Sequence, residues 1–281
     1  MATPIDPNRH LARIQRFRLI DDAFFHTCFN DYMPGMELLL RIVYGKADLK
    51  VTSMVAQNKV PNIYGREVCF DVFARDTSGK LHDFEVQRSD VGAVPLRARY
   101  NSSMLDTMEV QKGIKWKDLP PNGVIFLTEN DVLGGNLPLY HIRRKIEELD
   151  NAPFEDNTEI IYVNGAYVGK DPVGMLIHDF QCTDPRDMHY EVLADRANFF
   201  KNDEKGVTTM SEIVEEILNE GREEGREEGR EEGREEGRAE GEERLGRLVA
   251  ILSTSGKHEE VTRAAVDRDY RNAMYQQYNI A

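Results

Sequence analysis

The sequence predicts an α/β domain followed by a helical, low-complexity tail. Apolar residues recur at three- and four-residue steps between positions 21 and 45, which indicates helix. Three runs between positions 49 and 87 are rich in Val and Phe, and the last two flank a turn of Asp, Thr, Ser and Gly, which indicates strands. From Gly221 onward the unit Gly-Arg-Glu-Glu repeats, and this bias is typical of a solvated helix or spacer.

Helical and strand-like patterns alternate along the predicted domain. Pro34 and Gly35 divide the first helical region into two helices. The run NGVIFLT has the length of a buried strand, whereas the charged run RRKIEEL predicts a polar helix. In order, the predicted elements are helices over 21–45, strands over 49–57, 66–74 and 80–87, a helix over 95–108, a strand over 122–128, a helix over 143–149, a strand with a turn over 159–169, and a last helical stretch ending near Lys201.

These patterns divide the chain into three segments. The α/β domain covers 1–205, with a linker predicted over 202–210; the charged Gly/Arg/Glu helix or spacer covers 206–245; a short helical segment covers 246–281. The repeat has a glycine at every fourth position, and each such glycine destabilises a helix by about 1 kcal/mol relative to alanine. The same glycines would form a stripe that lets a second helix approach closely, so self-association of the chain through this tail is the functional alternative to a plain spacer.

Composition narrows the class of protein. The net charge of -14 argues against a protein that coats DNA through bulk positive charge. Residues 211–281 hold 11 Lys and Arg against 19 Asp and Glu, so the acidic excess of the remaining chain is only 6. The three cysteines fit neither a disulfide framework nor a CxxC metal site. No run approaches the roughly 18 apolar residues of a membrane span, and we expect a soluble, cytoplasmic protein with no membrane partner.

The run REVCFDVFARDTSGKLHDFEVQ predicts a hairpin that brings carboxylates together. A three-residue turn ending in Gly79 pairs Asp76 with Lys80, and the same register places Asp71 opposite Glu85. Opposed Cβ atoms lie about 5 Å apart, so two carboxylates there repel unless a cation such as a divalent metal ion lies between them. Alternation puts Asp83 and Gln87 on the face of Glu85. The alternative is a merely solvated hairpin face, which a one-residue register shift would favour.

An extended set of blocks resembles a known family, the bacterial recombination-promoting nuclease (transposase-like) group of the PD-(D/E)XK nuclease superfamily. The resemblance covers nearly the whole predicted domain. Its blocks are ELLLRIVYGKADLKV (37–51), GREVCFDVFARDTSGKLHDFEVQR (65–88), RARYNSSMLD (97–106), LPPNGVIFLTENDVLGGNLPLYHIRR (119–144) and IIYVNGAYVGKDPVGMLIHDFQCTDPRDM (160–188).

The resemblance implies a fold, a chemistry and a set of residues. It implies a central mixed β-sheet flanked by helices, as in restriction endonucleases, and Mg²⁺-dependent or Mn²⁺-dependent hydrolysis of DNA connected with recombination or mobile DNA. Asp71 matches the superfamily's Asp, and Glu85-Val86-Gln87 matches its Glu-x-Lys. On this hypothesis Asp71, Glu85 and the Val86 carbonyl bind the metal. Gln87 replaces the lysine of many members, so it can orient water only through neutral hydrogen bonds.

Four further residues have both a functional and a structural interpretation. Glu37 corresponds to a position where several superfamily members supply another carboxylate, although it could equally be a capping or surface residue. Arg97, Arg99 and Tyr100 follow the hairpin on a predicted helix and could contact the phosphate backbone of DNA; alternatively they form a solvated face with one packed tyrosine. The rival to the whole enzymatic interpretation is a catalytically silent nucleic-acid-binding or assembly protein that keeps the nuclease fold.

One more group contains the residue types of a zinc site: His178, Asp179, Cys182, Asp184 and His189. Their spacing in the sequence fits no compact ligand pattern. A turn after a helix explains the Cys-Thr-Asp-Pro stretch more simply, so the sequence favours a structural role for this group.

Overall fold

The structure, a computed structural model, describes residues 10–61, 66–110 and 113–280. Its α-helices are α1 (Leu11–Ile14), α2 (Asp22–Phe29), α3 (Met33–Tyr44), α4 (Pro95–Glu109), α5 (Pro172–Gln181), α6 (Glu191–Asn202), α7 (Glu204–Thr254), α8 (His258–Val266) and α9 (Arg268–Gln277). Its strands are β1 (Val51–Val60), β2 (Val68–Asp76), β3 (Leu81–Gln87), β4 (Asn122–Thr128), β5 (Leu139–Ile142), β6 (Lys145–Ile146), β7 (Ala152–Pro153) and β8 (Thr158–Asn164).

Six strands form one mixed sheet in the order β1-β2-β3-β4-β8-β5. Strands β1, β2 and β3 form an antiparallel meander, β3, β4 and β8 are parallel, and β5 closes the far edge antiparallel to β8. Helix α4, which connects the parallel strands β3 and β4, packs on the sheet, and α2 packs on β1, β2 and β3. The side chain of Phe84 stacks on Phe25 of α2, with ring centroids 5.9 Å apart. The predicted α/β class, a mixed sheet flanked by helices, is confirmed.

The β2–β3 hairpin has the predicted turn and register. Gly79 adopts a φ of +86°, the left-handed conformation that favours glycine, and the Asp76 N–H donates to the Lys80 carbonyl at 3.0 Å. The pairs run from Arg75–Leu81 to Val72–Phe84. This register directs Asp71 and Glu85 toward each other at the end of the ladder.

Three local predictions need correction. Residues 143–149 are not a helix: they follow β5 into the short β6 strand and a 3₁₀ turn. This segment lies at the sheet edge, where Arg143 pairs with Glu159 of β8, so tertiary pairing outweighs local helix propensity. The interval 202–210 is not a linker, because α7 begins at Glu204. The first helical region does split in two, but the break lies at 30–32, and Pro34 occupies the first turn of α3.

A buried lysine ties the N-terminal segment to the end of the domain. The Lys201 ammonium donates to the backbone carbonyls of Gln15, Phe17 and Thr183. Burial lowers the pKa of Lys201 to about 8. These bonds compensate for the removal of the charge from water.

Replacing this lysine is expected to destabilise the fold. Lys201→Met leaves three carbonyls without their donor, and we expect the free energy of unfolding to fall by about 3 kcal/mol. Chemical denaturation followed by circular dichroism measures the loss, with the exposed Lys205→Met as the matched control. Equal stability of the two variants would contradict the anchoring role.

The chain divides into two compact units, Met1–Val214 and Glu215–Ala281. Within the second unit, α7 carries the Gly/Arg/Glu repeat as continuous helix, and residues 219–243 are exposed throughout. A small core of Leu248, Leu252, Ala264, Tyr275 and Ile280 joins the end of α7 to α8 and α9. Among the described residues, no helix has the length and apolar character needed to cross a membrane.

Candidate metal centre on the β2–β3 hairpin

Asp71 and Glu85 meet where the ladder between β2 and β3 stops. Beyond the last pair, Val72–Phe84, side chains replace the missing backbone partners. The Val86 N–H donates to Asp71 Oδ2 at 2.9 Å, and the Asp71 N–H donates to Glu85 Oε1 at 3.4 Å. Each carboxylate is therefore held by the backbone of the opposing strand, which fixes the two acids beside each other.

The Val86 carbonyl points toward the end of the β2–β3 ladder, where the Asp71 and Glu85 carboxylates lie. In a strand, the N–H and C=O of one residue point to the same neighbouring strand. Because the Val86 N–H points to Asp71, the Val86 carbonyl also points to the β2 side, where the ladder has ended. The Gln87 carbonyl points the other way and accepts from the Glu129 N–H at 3.0 Å. Asp71, Glu85 and the Val86 carbonyl thus offer oxygen atoms to one place.

A second row of polar groups lies on the α4 face of β3. Asp83 and Glu85 are fully buried there. One amide, Asn101 Nδ2 of α4, donates to Asp83 Oδ2 at 2.8 Å and to Glu85 Oε1 at 3.3 Å. Gln87 Nε2 donates to Glu85 Oε2 at 3.4 Å. The predicted alternation is confirmed, because Asp83, Glu85 and Gln87 share one face.

Burial and mutual repulsion raise the pKa values of two of these acids. Burial, reinforced by the negative charge of Asp71, raises the pKa of Glu85 to about 7, although the Arg97 guanidinium opposes the shift. Burial and then the charge of Glu85 raise the pKa of Asp83 well above its usual range. Within the described chain, Asp83 Oδ1 has no hydrogen-bond partner. This group of carboxylates therefore has a deficit of positive charge, which fits an added cation.

The three residues predicted to contact DNA occupy different environments. Arg97, in the first turns of α4, forms an ion pair with Glu85 Oε2 and donates to the Gly92 carbonyl at 3.1 Å. Arg99 is exposed on the same helix. Tyr100 packs against the core, and its hydroxyl donates to the Arg66 carbonyl. Only Arg97 reaches the carboxylates, and the placement of Tyr100 favours its structural interpretation.

Glu37 is not part of this group. Its carboxylate accepts from the Val51 N–H at 3.1 Å and pairs with Arg41 and Lys50. Val51 pairs with Asp76 beside the hairpin turn, whereas Ala56 and Asn58 pair with the two neighbours of Asp71, so the level of Asp71 is six residues further along β1. Six strand residues span about 20 Å. The glutamate therefore joins α3 to the start of β1 instead of supplying a further ligand.

The helix that brings further donor atoms to Asp71 is α2. His26 Nε2 lies 3.4 Å from Asp71 Oδ1 and 3.7 Å from Asp22 Oδ1, and the donor atoms of these three residues lie within 4.8 Å of one another, as a metal ion would require. Gln57 Nε2 lies 3.0 Å from His26 Nδ1. Burial opposes the charged imidazole, but the hydrogen bond and charge of Asp71 outweigh it and raise the pKa of His26. The available signal in the sequence was the i,i+4 spacing of Asp22 and His26.

Comparison with known proteins identifies no relative. No protein-family model matches the chain, and no curated protein or solved structure matches it. The chemistry of the hairpin therefore has to be judged from its own donor atoms and charges.

Proposed function

We propose that this protein is a metal-dependent DNA endonuclease that hydrolyses phosphodiester bonds and acts in recombination or on mobile DNA. The observation that carries the proposal is the pair of buried acids, Asp71 and Glu85, held together where the hairpin ladder ends. The surrounding order of meander, helix α4 and parallel strand β4 agrees with the PD-(D/E)XK fold that the sequence resemblance implies. Oxygen donors on such a frame suit a hard cation.

The residues present fit Mg²⁺ or Mn²⁺. Asp71, Glu85 and the Val86 carbonyl would hold one or two such ions, and Asp22 and His26 adjoin Asp71 as further donors. A bound ion activates water and stabilises the negative charge that develops on the phosphate. Gln87, already directed at Glu85, orients the attacking water through neutral hydrogen bonds. The positive charge needed at this position cannot come from Gln87 itself.

Arg97 connects the acids to DNA binding. In the absence of a cation its guanidinium neutralises Glu85. If Glu85 instead ligated a metal ion, this partly exposed guanidinium would be free to bind a phosphate of the backbone. Arg99, exposed on the same helix, would add a second phosphate contact. A local pair of arginines of this kind is compatible with the overall net charge of -14.

The same ion pair favours one alternative, a catalytically silent nucleic-acid-binding or assembly protein. In that protein Arg97 would permanently neutralise Glu85, and no metal would be needed. Incubation of the purified protein with supercoiled plasmid separates the two. The endonuclease nicks or cuts plasmid with Mg²⁺ or Mn²⁺ and stops when EDTA is added; absence of cleavage with both metals, or cleavage that survives EDTA, would reject it.

Glu37 provides a control within the same domain. Because its carboxylate is bound to α3 and β1, Glu37→Gln is expected to cleave plasmid at a rate within about twofold of the parent. Initial rates under saturating Mg²⁺ measure this. A loss as large as that of a hairpin variant would instead place Glu37 among the metal ligands.

The tail gives a separate prediction about assembly. No other part of the described chain packs on the glycines at 221, 225, 229, 233 and 237, so this stripe is open to a second helix. If it mediates self-association, removal of residues 215–281 lowers the number of subunits in the particle. Light scattering of the full and shortened chains measures the mass, and an equal subunit number in both would exclude this role.

A further inference from the structure

A second group of possible metal ligands lies at the end of α5, away from the residues of the hairpin centre. It consists of His178, Asp179, Cys182 and His189, which we call the α5 cluster. His178 and Asp179 lie in the last turns of α5, and Cys182 is the residue that ends it. His189 follows the short 3₁₀ turn Pro185–Asp187 and precedes α6. The turn folds the chain back, so four residues that are spread over twelve positions meet.

Some donor atoms of the α5 cluster lie near the separations that a single zinc ion imposes. Cys182 Sγ lies 3.8 Å from both ring nitrogens of His178, and His178 Nδ1 lies 3.4 Å from Asp179 Oδ1. The donor atoms of His178, Asp179 and His189 all lie within 4.8 Å of one another. Ligand atoms on one tetrahedral zinc are roughly 3.3 to 3.8 Å apart, given its usual bond lengths. Within the cluster, Cys182 Sγ contacts His178 alone at these distances, so one shared zinc ion would require rotation of the Cys182 side chain.

Asp179 is the residue of the α5 cluster that is held most firmly by the backbone. It is fully buried, and its two carboxylate oxygens accept from the His189 N–H at 2.7 Å and the Tyr190 N–H at 2.8 Å. These bonds draw His189 against α5 and leave a second lone pair on Oδ1. Among the described residues, the one ion pair of Asp179 is with His178, which is charged only when protonated. Two backbone N–H groups therefore hold this buried carboxylate, and a cation at Oδ1 would neutralise its charge.

Two further acids, Asp184 and Asp187, belong to the 3₁₀ turn between Cys182 and His189. Asp184 itself is not available as a ligand, because its carboxylate binds Arg186 through two nitrogens.

We propose that His178, Cys182 and His189, with Asp179, form a binding site for Zn²⁺. Two imidazoles, a thiol and a carboxylate are the donors of a borderline-soft ion, in contrast to the oxygen-rich set on the hairpin. Binding displaces the Cys182 proton to solvent. A bound ion would join the end of α5 to the segment that leads into α6 and so stabilise the packing of these helices. This site does not depend on the proposed nuclease function.

Metal titration of single variants tests the site. The background is the full chain carrying His26→Ala and Glu85→Gln, which removes two donors of the hairpin centre, one from each of its two groups. In it, Zn²⁺ is expected to bind with one equivalent per chain, and Co²⁺ is expected to show a thiolate charge-transfer absorption. Cys182→Ala should abolish that absorption, and Cys182→Ala or His189→Ala should weaken Zn²⁺ binding by about 100-fold or more.

The chain supplies matched controls for both changes. Cys69 and His141 are exposed and lie outside the α5 cluster, so Cys69→Ala and His141→Ala should leave the absorption and the affinity as in the background. The proposal is overturned if no zinc binds. It is equally overturned if the Cys182 and His189 variants bind zinc as the controls do, or if the absorption disappears with Cys69→Ala. None of these readouts uses DNA cleavage, so the outcome is independent of the hairpin centre.

Discussion

Asp71→Asn and Glu85→Gln are each expected to lower the rate of Mg²⁺-dependent plasmid cleavage by about 1000-fold or more. Each change removes a charged oxygen ligand while it keeps the size of the side chain. Metal ions supply several kcal/mol of stabilisation to such a reaction, and each 1.4 kcal/mol corresponds to about tenfold in rate. Single-turnover cleavage at saturating protein measures the chemical step without the effect of DNA affinity.

Two exposed acids serve as controls for the loss of charge. Asp118→Asn and Glu148→Gln remove a carboxylate of the same kind outside the hairpin, and both should cleave at the parent rate. If the hairpin variants cleave as fast as these controls, Asp71 and Glu85 are not metal ligands for the reaction. Circular dichroism of each variant distinguishes a lost ligand from a lost fold.

Glu85→Gln is also expected to make the metal-free protein more stable at neutral pH, by about 3 kcal/mol. Burial and the charge of Asp71 raise the pKa of Glu85 from 4.5 to about 7 in the folded chain. Between these values the folded state holds more protons than the unfolded state, so stability falls as pH rises from about 4.5 to 7. A shift of one pKa unit corresponds to about 1.4 kcal/mol, and glutamine removes the titrating group altogether.

Urea denaturation in EDTA at pH 5 and pH 7.5 measures this effect. The parent should lose stability between the two conditions, Glu85→Gln should lose much less, and Glu148→Gln should follow the parent. Added Mg²⁺ should restore stability at pH 7.5 in the parent and in Glu148→Gln but not in Glu85→Gln, because a ligand stabilises the state that binds it. A Glu85→Gln variant that is less stable than the parent at pH 7.5 would indicate a structural acid instead of a ligand.

The sequence predicted the hairpin well because its determinants are local. Gly79 fixes the turn through its left-handed backbone, and the turn fixes the register that opposes Asp71 and Glu85. The mixed sheet, by contrast, was implied by the family resemblance. The antiparallel pairs of β1, β2 and β3 follow from neighbouring segments, whereas the parallel pairing of β3 with β4 and β8 depends on distant parts of the chain.

Contacts between distant parts of the chain are what the sequence leaves open. Both Glu37 and His26 lie on helices next to the sheet, and local periodicity does not say which of them meets Asp71. The structure directs Glu37 to Val51 and His26 to Asp71. Likewise, the spacing of His178 and His189 in the sequence fits no compact ligand pattern. The two rings meet because the intervening turn and the bonds to Asp179 bring them together. The charged pattern of residues 143–149 predicts a helix. In the structure the residues directly before them pair with β8 as the edge strand β5.

Anomalous diffraction from crystals grown with Mn²⁺ tests the central claim most directly. The account predicts a manganese peak bonded to the carboxylates of Asp71 and Glu85 and to the Val86 carbonyl, and no peak at this position in crystals of Glu85→Gln. Crystals of the parent that show no manganese at the hairpin, with Arg97 still paired to Glu85 at saturating Mn²⁺, would contradict it.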